Sequence, residues 1–260
     1  MQLSDISVWG VIVLLVLTGM AASLFMLVDR RTGPRLLRAA MVGTLQLVVL
    51  GGVTWGVIYL DKWWADILWL ILMVIGVSLL LLRQLRWGFE RLFFPITLSV
   101  FGGTTVIGAC LLWTLTHGKP FLSHHLLIPV VGLLLSHLLV SVRQGMQAYL
   151  GSLRHTTKHR QYLLSCGATH LESVMPSARR ALRAALLPSL QNMISPAVIS
   201  MPLLFCGLLM CGTSPLMAVA VVWLLFPACL SVTVLTLVLA FWLSDRWLFD
   251  KQDNLLATSK

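Results

Sequence analysis

Few side chains in this sequence could do chemistry at depth in an apolar setting, and those few are sulfur, imidazole and amide groups. Met193, Met201, Cys206, Met210 and Cys211 crowd one apolar stretch that also carries Pro196, Pro202, Gly207 and Gly212. His137 is the ionisable group lying well inside another apolar stretch. Thioether, thiol and imidazole donors together suit a soft or borderline metal ion, whereas hard ferric iron prefers oxygen. The competing reading is packing: Met and Cys fill irregular gaps beside kinks, and a lone interior histidine is commonly satisfied by its neighbours. No metal ligands are assigned. Gln46 is a further polar candidate, either as an amide bonding across helices or as a pathway contact. Gln46, His137, Met201, Pro202, Cys206, Gly207 and Met210 are thus the candidate pathway positions. No nucleophile–base pair or paired carboxylates occur in these stretches, so no catalytic residue is assigned and the chain reads as a non-enzyme. Nor is there a G-x-x-x-x-G-K-[ST] loop, since Gly118-Lys119-Pro120 lacks the upstream glycine and the hydroxyl. Any nucleotide chemistry belongs to another chain.

The elements that must position these residues are membrane helices. The chain is 58% hydrophobic and 11% charged, with a mean hydropathy of +0.90, far from the composition of soluble domains. Nine acidic residues are too few to solvate a globular surface. The net charge of +10 could point to nucleic acid, but the basic residues fall between apolar runs, which is the positive-inside pattern, and nucleic-acid binding is excluded. Five cysteines without a CxxC pair give no disulfide framework. The first apolar run, Ile6 to Val28, has no basic region before it, exceeds a signal-peptide core and is followed by Asp29-Arg30-Arg31, so it reads as a retained span.

Stretches long enough to cross a hydrocarbon core of about 30 Å lie near 7–28, 39–60, 64–82, 92–115, 126–142, 189–211 and 215–243. The expectation is an all-α, multi-pass inner-membrane domain of about seven transmembrane helices. Arg30, Arg31, Arg35 and Arg38, then Arg83, Arg86 and Arg91, a long basic loop, and Arg246, Lys251 and Lys260 fall on one side. That places the N-terminus outside and the C-terminus in the cytoplasm. Trp9, Trp63, Trp64 and Trp113 near outer ends, with Trp87 and Trp247 near inner ends, fit an interfacial belt. Acidic residues are expected at termini or in loops, which argues against a carboxylate proton relay.

The long interruption, residues 143–188, is basic and helix-forming. Gln147, Leu150, Arg154, Lys158 and Gln161 repeat at helical spacing up to a break at Cys166-Gly167-Ala168-Thr169. Thr169 with Glu172 three residues on forms a capping-box pattern for a second helix. Its apolar stripe is expected to run through Leu171, Val174, Ala178, Ala181, Leu182, Ala185 and Leu186. The two helices make an elbow. It reads either as a basic amphipathic hairpin on anionic headgroups or as a coupling element docking into a cytoplasmic subunit, with Gln161, Leu164, Gly167, Ala168 and Thr169 as the contact.

Several motifs then occur in order: Leu163-Leu164-Ser165-Cys166-Gly167-Ala168-Thr169, Arg180-x-x-Arg183-Ala184-Ala185-Leu186-x-Pro188, and Pro202, Gly207, Gly212, Pro215 and Ala218. With Ile128-Pro129-x-x-Gly132 and Gln46-Leu47 before Gly51, the chain resembles the FetB-type ABC-transporter permeases, a family of bacterial iron-export permeases with plant aluminium-tolerance relatives. The resemblance implies a homodimeric permease whose elbow engages a separately encoded ATP-binding subunit, with ATP and Mg2+ on that partner and no cofactor in this chain. It also implies export of a metal ion such as iron. The chain departs from the family where P-G-M-M-[ST]-G is Pro202-Leu203-Leu204-Phe205-Cys206-Gly207, where Y-Q is Val221-Val222, where the Arg before Q-L is Val42, and where G-N is Ser136-His137. Polar groups near the pathway are mostly exchanged for apolar ones. A hydrophobic or amphipathic substrate is therefore an alternative, as is a non-transporting anchor or sensor that recruits a cytoplasmic partner.

Overall fold

The computed structural model describes residues 33–60, 63–85, 89–116, 124–194 and 202–248, together with Val16, Gly19, Met20 and Ser23. Most of the expected first span and the pathway candidate Met201 lie outside the described residues. Two compact units, Met1–Lys62 and Trp63–Lys260, divide the chain. The first contributes helix α1, Gly33–Leu60, which carries Gln46. The second contains α2 (Trp63–Leu85), α3 (Phe89–Thr116), α4 (His124–His155), α5 (Thr157–Ser165), α6 (His170–Ile194), α7 (Pro202–Met210) and α8 (Pro215–Leu248). Every element among the described residues is helical. That is the outcome an apolar chain demands in lipid, where each backbone N–H and C=O must be satisfied within its own segment.

Among the described residues, four helices are long and apolar enough to cross a membrane: Trp64–Leu85, Leu92–Leu115, Leu127–His155 and Pro215–Trp247, with a shorter apolar stretch at Met41–Val57. The protein is an all-α, multi-pass membrane protein. Buried hydroxyls in these helices bond back one turn, as Ser78 does to the Val74 carbonyl at 2.8 Å, Thr104 to Val100 at 2.7 Å and Thr233 to Cys229 at 2.8 Å. A polar side chain in an apolar helix thereby meets its own needs locally.

The described elements refine the segment reading. The fifth apolar stretch and the helix expected to follow it are one element, since α4 runs unbroken through residue 143 to His155. Its buried stripe, Leu134, Leu138, Val142, Met146, Tyr149 and Leu153, keeps a helical period straight past Arg143. Of the sixth stretch, the structure describes the end of α6 and the short α7, and 195–201 lie outside the described residues. Finally, acidic residues belong to helices as well as to loops: Asp66 is buried in the first turn of α2, and Asp245 lies in the last turns of α8. A carboxylate in the first turn complements the positive end of the helix dipole, which makes Asp66 compatible with a helix entering an apolar layer.

Helix α4 is the hub, packing against α2, α3, α5, α6 and α8, while α8 makes its most extensive contact with α3. Close approach at two crossings depends on glycine. A Cβ on Gly103 of α3 would stand 2.0 Å from Thr236 Oγ1 of α8. A Cβ on Gly145 of α4 would stand 2.7 Å from a Leu237 methyl and 3.2 Å from Ala185 Cβ, where α4, α6 and α8 converge.

Candidate coupling elbow

Three helices build the elbow. After α4 ends at His155, the single residue Thr156 separates it from α5 (Thr157–Ser165). The sequence pattern anticipated one interruption in this region and the structure has two. Thr156 has φ −101° and ψ 12°, yet its N–H donates to the Ser152 carbonyl at 2.9 Å and its own carbonyl accepts the Arg160 N–H at 2.9 Å, so backbone bonding runs through it. The Thr156 hydroxyl bonds to the Ser152 carbonyl at 2.8 Å and the Thr157 hydroxyl to Leu153 at 2.9 Å, which satisfies both hydroxyls locally.

The second break is the one expected. Gly167 has φ +90°, its N–H donates to the Leu164 carbonyl at 3.0 Å, and the Ala168 N–H donates to Leu163 at 3.1 Å. This pair of bonds is the Schellman closure of α5. Space around a Cβ at Gly167 is open, so the requirement for glycine comes from the backbone and not from crowding. Helix α6 then starts with the reciprocal capping box: the Thr169 N–H donates to Glu172 Oε2 at 2.8 Å, and the Glu172 N–H donates to Thr169 Oγ1 at 3.4 Å. These bonds hold the Glu172 carboxyl below its ordinary value. A depressed folded value stabilises the cap above the ordinary glutamate range, and that stability is lost as pH falls through the lower folded value. The protection factor of the Thr169 amide, its exchange rate corrected for the intrinsic pH dependence, is expected to fall on acidification, and Glu172→Gln is expected to flatten that dependence.

The face of α6 turned to α4 is lined by Ser173, Val174, Ser177, Ala181, Ala185 and Ser189, all buried. Small residues let the two helix backbones approach, and the Ser152 hydroxyl donates to Ser177 Oγ at 3.0 Å across the seam. Leu171, expected on this stripe, is 64% exposed. The buried line passes through Ser173 and Ser177 as well as Val174, which turns the packed side of α6 away from it.

Beneath the elbow lies a polar cluster that the sequence pattern did not reveal. The Tyr149 hydroxyl of α4, fully buried, donates to Asp245 Oδ1 of α8. The Tyr149 ring stacks on Phe241 at 4.4 Å between centroids. Arg160 of α5, only 1% exposed, is within electrostatic reach of both groups, and His170 at the start of α6 is within reach of Asp245. One carboxylate thus ties together four helices. A signal existed: Leu237, Phe241 and Asp245 recur every four residues on α8, so Asp245 continues a buried face. Its partners, however, come from distant parts of the chain.

The coupling candidates are brought together. Gln161, Gly167 and Thr169 are exposed at the turn, with Leu164 and Ala168 half-buried behind them. The pathway candidates are not. His137 is half-buried in α4, its Nε2 3.5 Å from Ser141 Oγ one turn on. Pro202 opens α7, which packs on α8. On α7, Cys206 is exposed, Met210 is 64% exposed, and Gly207 has nothing within 4 Å of its Cβ position. Gln46 belongs to the other unit. Among the described residues no three His, Cys, Asp or Glu side chains gather to hold a metal. A second Schellman turn, with Gly212 at φ +83° and the Thr213 N–H on Leu208 at 3.2 Å, closes α7 before Ser214 and Pro215 start α8.

A membrane bundle with a capped, buried-charge elbow is the frame for comparison with known proteins. The model of the uncharacterised protein family UPF0014 matches residues 8–249. The chain belongs to that family. A relative described as UPF0014 membrane protein slr1647, from Synechocystis sp., is 25% identical over 174 residues, covering 67% of each chain. No solved structure matches this UPF0014 chain.

Proposed function

We propose that this chain is the permease subunit of an ABC transporter. It works as a homodimer in the inner membrane, N-terminus outside and C-terminus cytoplasmic, with a separate ATP-binding chain docked at Gln161, Leu164, Gly167, Ala168 and Thr169. ATP and Mg2+ belong to that partner. One observation carries the reading: the elbow is a defined, doubly capped turn whose two arms are fixed to the bundle through α4, α6 and the Asp245 cluster. A force applied at the turn therefore moves long helices as a body, which is what a coupling element needs. The ordered motifs shared with FetB-type permeases support the same assignment, and they support export of a metal ion such as iron.

A hydrophobic or amphipathic substrate is the second reading. It is favoured by the apolar α7, whose Cys206 and Met210 lie exposed and ungathered. Co-reconstitution with the cognate ATPase, and a screen of metal ions and lipids for ATPase stimulation, separates the two. Gly167→Ile tests coupling itself. A β-branched residue at φ +90° costs on the order of 1–2 kcal/mol or more in that conformation, enough to remodel a two-arm turn while the bundle stays folded. Stimulated ATPase activity is expected to fall to the unstimulated rate. Full stimulation in the folded variant would refute the coupling role, and an ATPase that binds but answers no substrate would favour a recruiting anchor.

A further inference from the structure

The outward face of α6 carries a groove that the coupling reading does not use. It has a volume of about 450 Å3 and is lined by Glu172, Met175, Pro176, Arg179, Arg180 and Arg183. These residues recur at helical spacing, so they form one continuous strip of α6. All three arginines are exposed, on the side away from the packed line of Val174, Ser177, Ala181 and Ala185. The one acidic lining residue, Glu172, already accepts the Thr169 N–H at the cap. The groove is therefore a net cationic cradle of guanidinium donors, which match phosphate oxygens in forked geometry.

The next two turns of α6 decide the ligand. Leu187 and Leu190, one and two turns beyond Arg183 on the same strip, are 52% and 44% exposed. At a rise of 1.5 Å per residue, Leu187 stands about 6 Å further along the helix axis than Arg183. A cationic cradle joined to an exposed apolar surface at that spacing matches the passage from headgroup to hydrocarbon in a bilayer. A soluble phosphate compound would have no use for the leucines, and an acidic protein segment would leave them in lipid.

We propose that Arg179, Arg180 and Arg183 form a site for the phosphate headgroup of an anionic membrane lipid, whose acyl chains lie along Leu187 and Leu190. The site does not depend on the transport reading, and its test involves no ATPase. The purified full chain, in neutral detergent, is titrated with phosphatidylglycerol or phosphatidylcholine and bound lipid is read by native mass spectrometry. Phosphatidylglycerol is expected to bind in preference. The triple variant Arg179→Gln/Arg180→Gln/Arg183→Gln is expected to weaken its binding on the order of a hundredfold, since each juxtamembrane cation contributes a several-fold preference. Replacing the three by lysine should restore much of the affinity while keeping the fold, and Arg154→Gln/Lys158→Gln should leave it unchanged. Equal binding of phosphatidylcholine, equal loss in the Arg154/Lys158 variant, or displacement by millimolar inorganic phosphate that itself binds as well, would each overturn the proposal. So would unchanged lipid binding in the triple-glutamine variant.

Discussion

Asp245→Ala is expected to be among the most destabilising single substitutions in this protein, lowering stability by about 3 kcal/mol. The residue accepts the buried Tyr149 hydroxyl and lies within electrostatic reach of Arg160 and His170. Removing it leaves Arg160, at 1% exposure, as a desolvated cation without that partner. Breaking a buried charge pair from one side costs more than the pair contributes, because the remaining group keeps its desolvation penalty. Since Asp245 is itself half-buried, the lower end of the range for such breaks applies. In detergent the apparent unfolding midpoint should fall by roughly 10 °C, and limited proteolysis should reach the elbow between Thr156 and Thr169 first. Asp245→Asn, which retains an acceptor for Tyr149, should cost less. Asp245→Ala combined with Arg160→Met should recover part of the loss, since neither charge then stays buried alone. A midpoint unchanged in Asp245→Ala would show that the cluster does not brace the elbow.

Gly103→Val is the second large effect. Its Cβ would meet Thr236 Oγ1 at 2.0 Å, Thr236 Cβ at 3.2 Å and Thr236 Cα at 3.4 Å. Rotation of the threonine hydroxyl relieves the first contact, but the other two involve the body of α8. Helices α3 and α8 must then separate along the most extensive helix–helix contact in the unit. Gly103→Ala is expected to cost about 1–3 kcal/mol by overpacking, and Gly103→Val more, with loss of the folded peak on size exclusion. Thr236→Ala should rescue most of the Gly103→Ala defect and little of the Gly103→Val defect, because only the shortest contact is removed. If Gly103→Ala alone is neutral, the crossing is looser than these distances state.

Both sites show how far the amino-acid order alone could reach. Apolar runs, Gly167 before Thr169, and Glu172 three residues further on are local signals, and each acts over one or two helical turns. Hydropathy is a property of a segment, a Schellman turn needs only a glycine able to take positive φ, and a capping box needs two side chains three apart. These therefore came through as helices, as the elbow turn and as the α6 cap. The membrane class came through for the same reason, since no alternative satisfies the backbone of so apolar a chain.

The interruption at Thr156 was less legible, because it is a single residue off helical dihedrals whose ladder bonds are kept, and no local residue type marks it. The continuation of α4 past residue 143 was hidden by Arg143, whose charge reads as the end of a span. What keeps α4 helical there is burial of Met146, Tyr149 and Leu153 against other helices. Tyr149 and Asp245 are 96 residues apart in sequence, and no spacing rule connects them. Gly103 likewise looked like any glycine in a membrane helix until Thr236 was set against it.

Sequence by itself determined that this is a helical, multi-pass membrane chain with a glycine-closed, threonine-capped elbow, because those features depend on residues that are neighbours along one helix. Tertiary structure alone decided that the elbow stands on a shared carboxylate, that α3 and α8 meet at a glycine, and that three arginines line one groove beside two exposed leucines. Those outcomes depend on which faces of distant helices are brought together, and on what remains uncovered once they are.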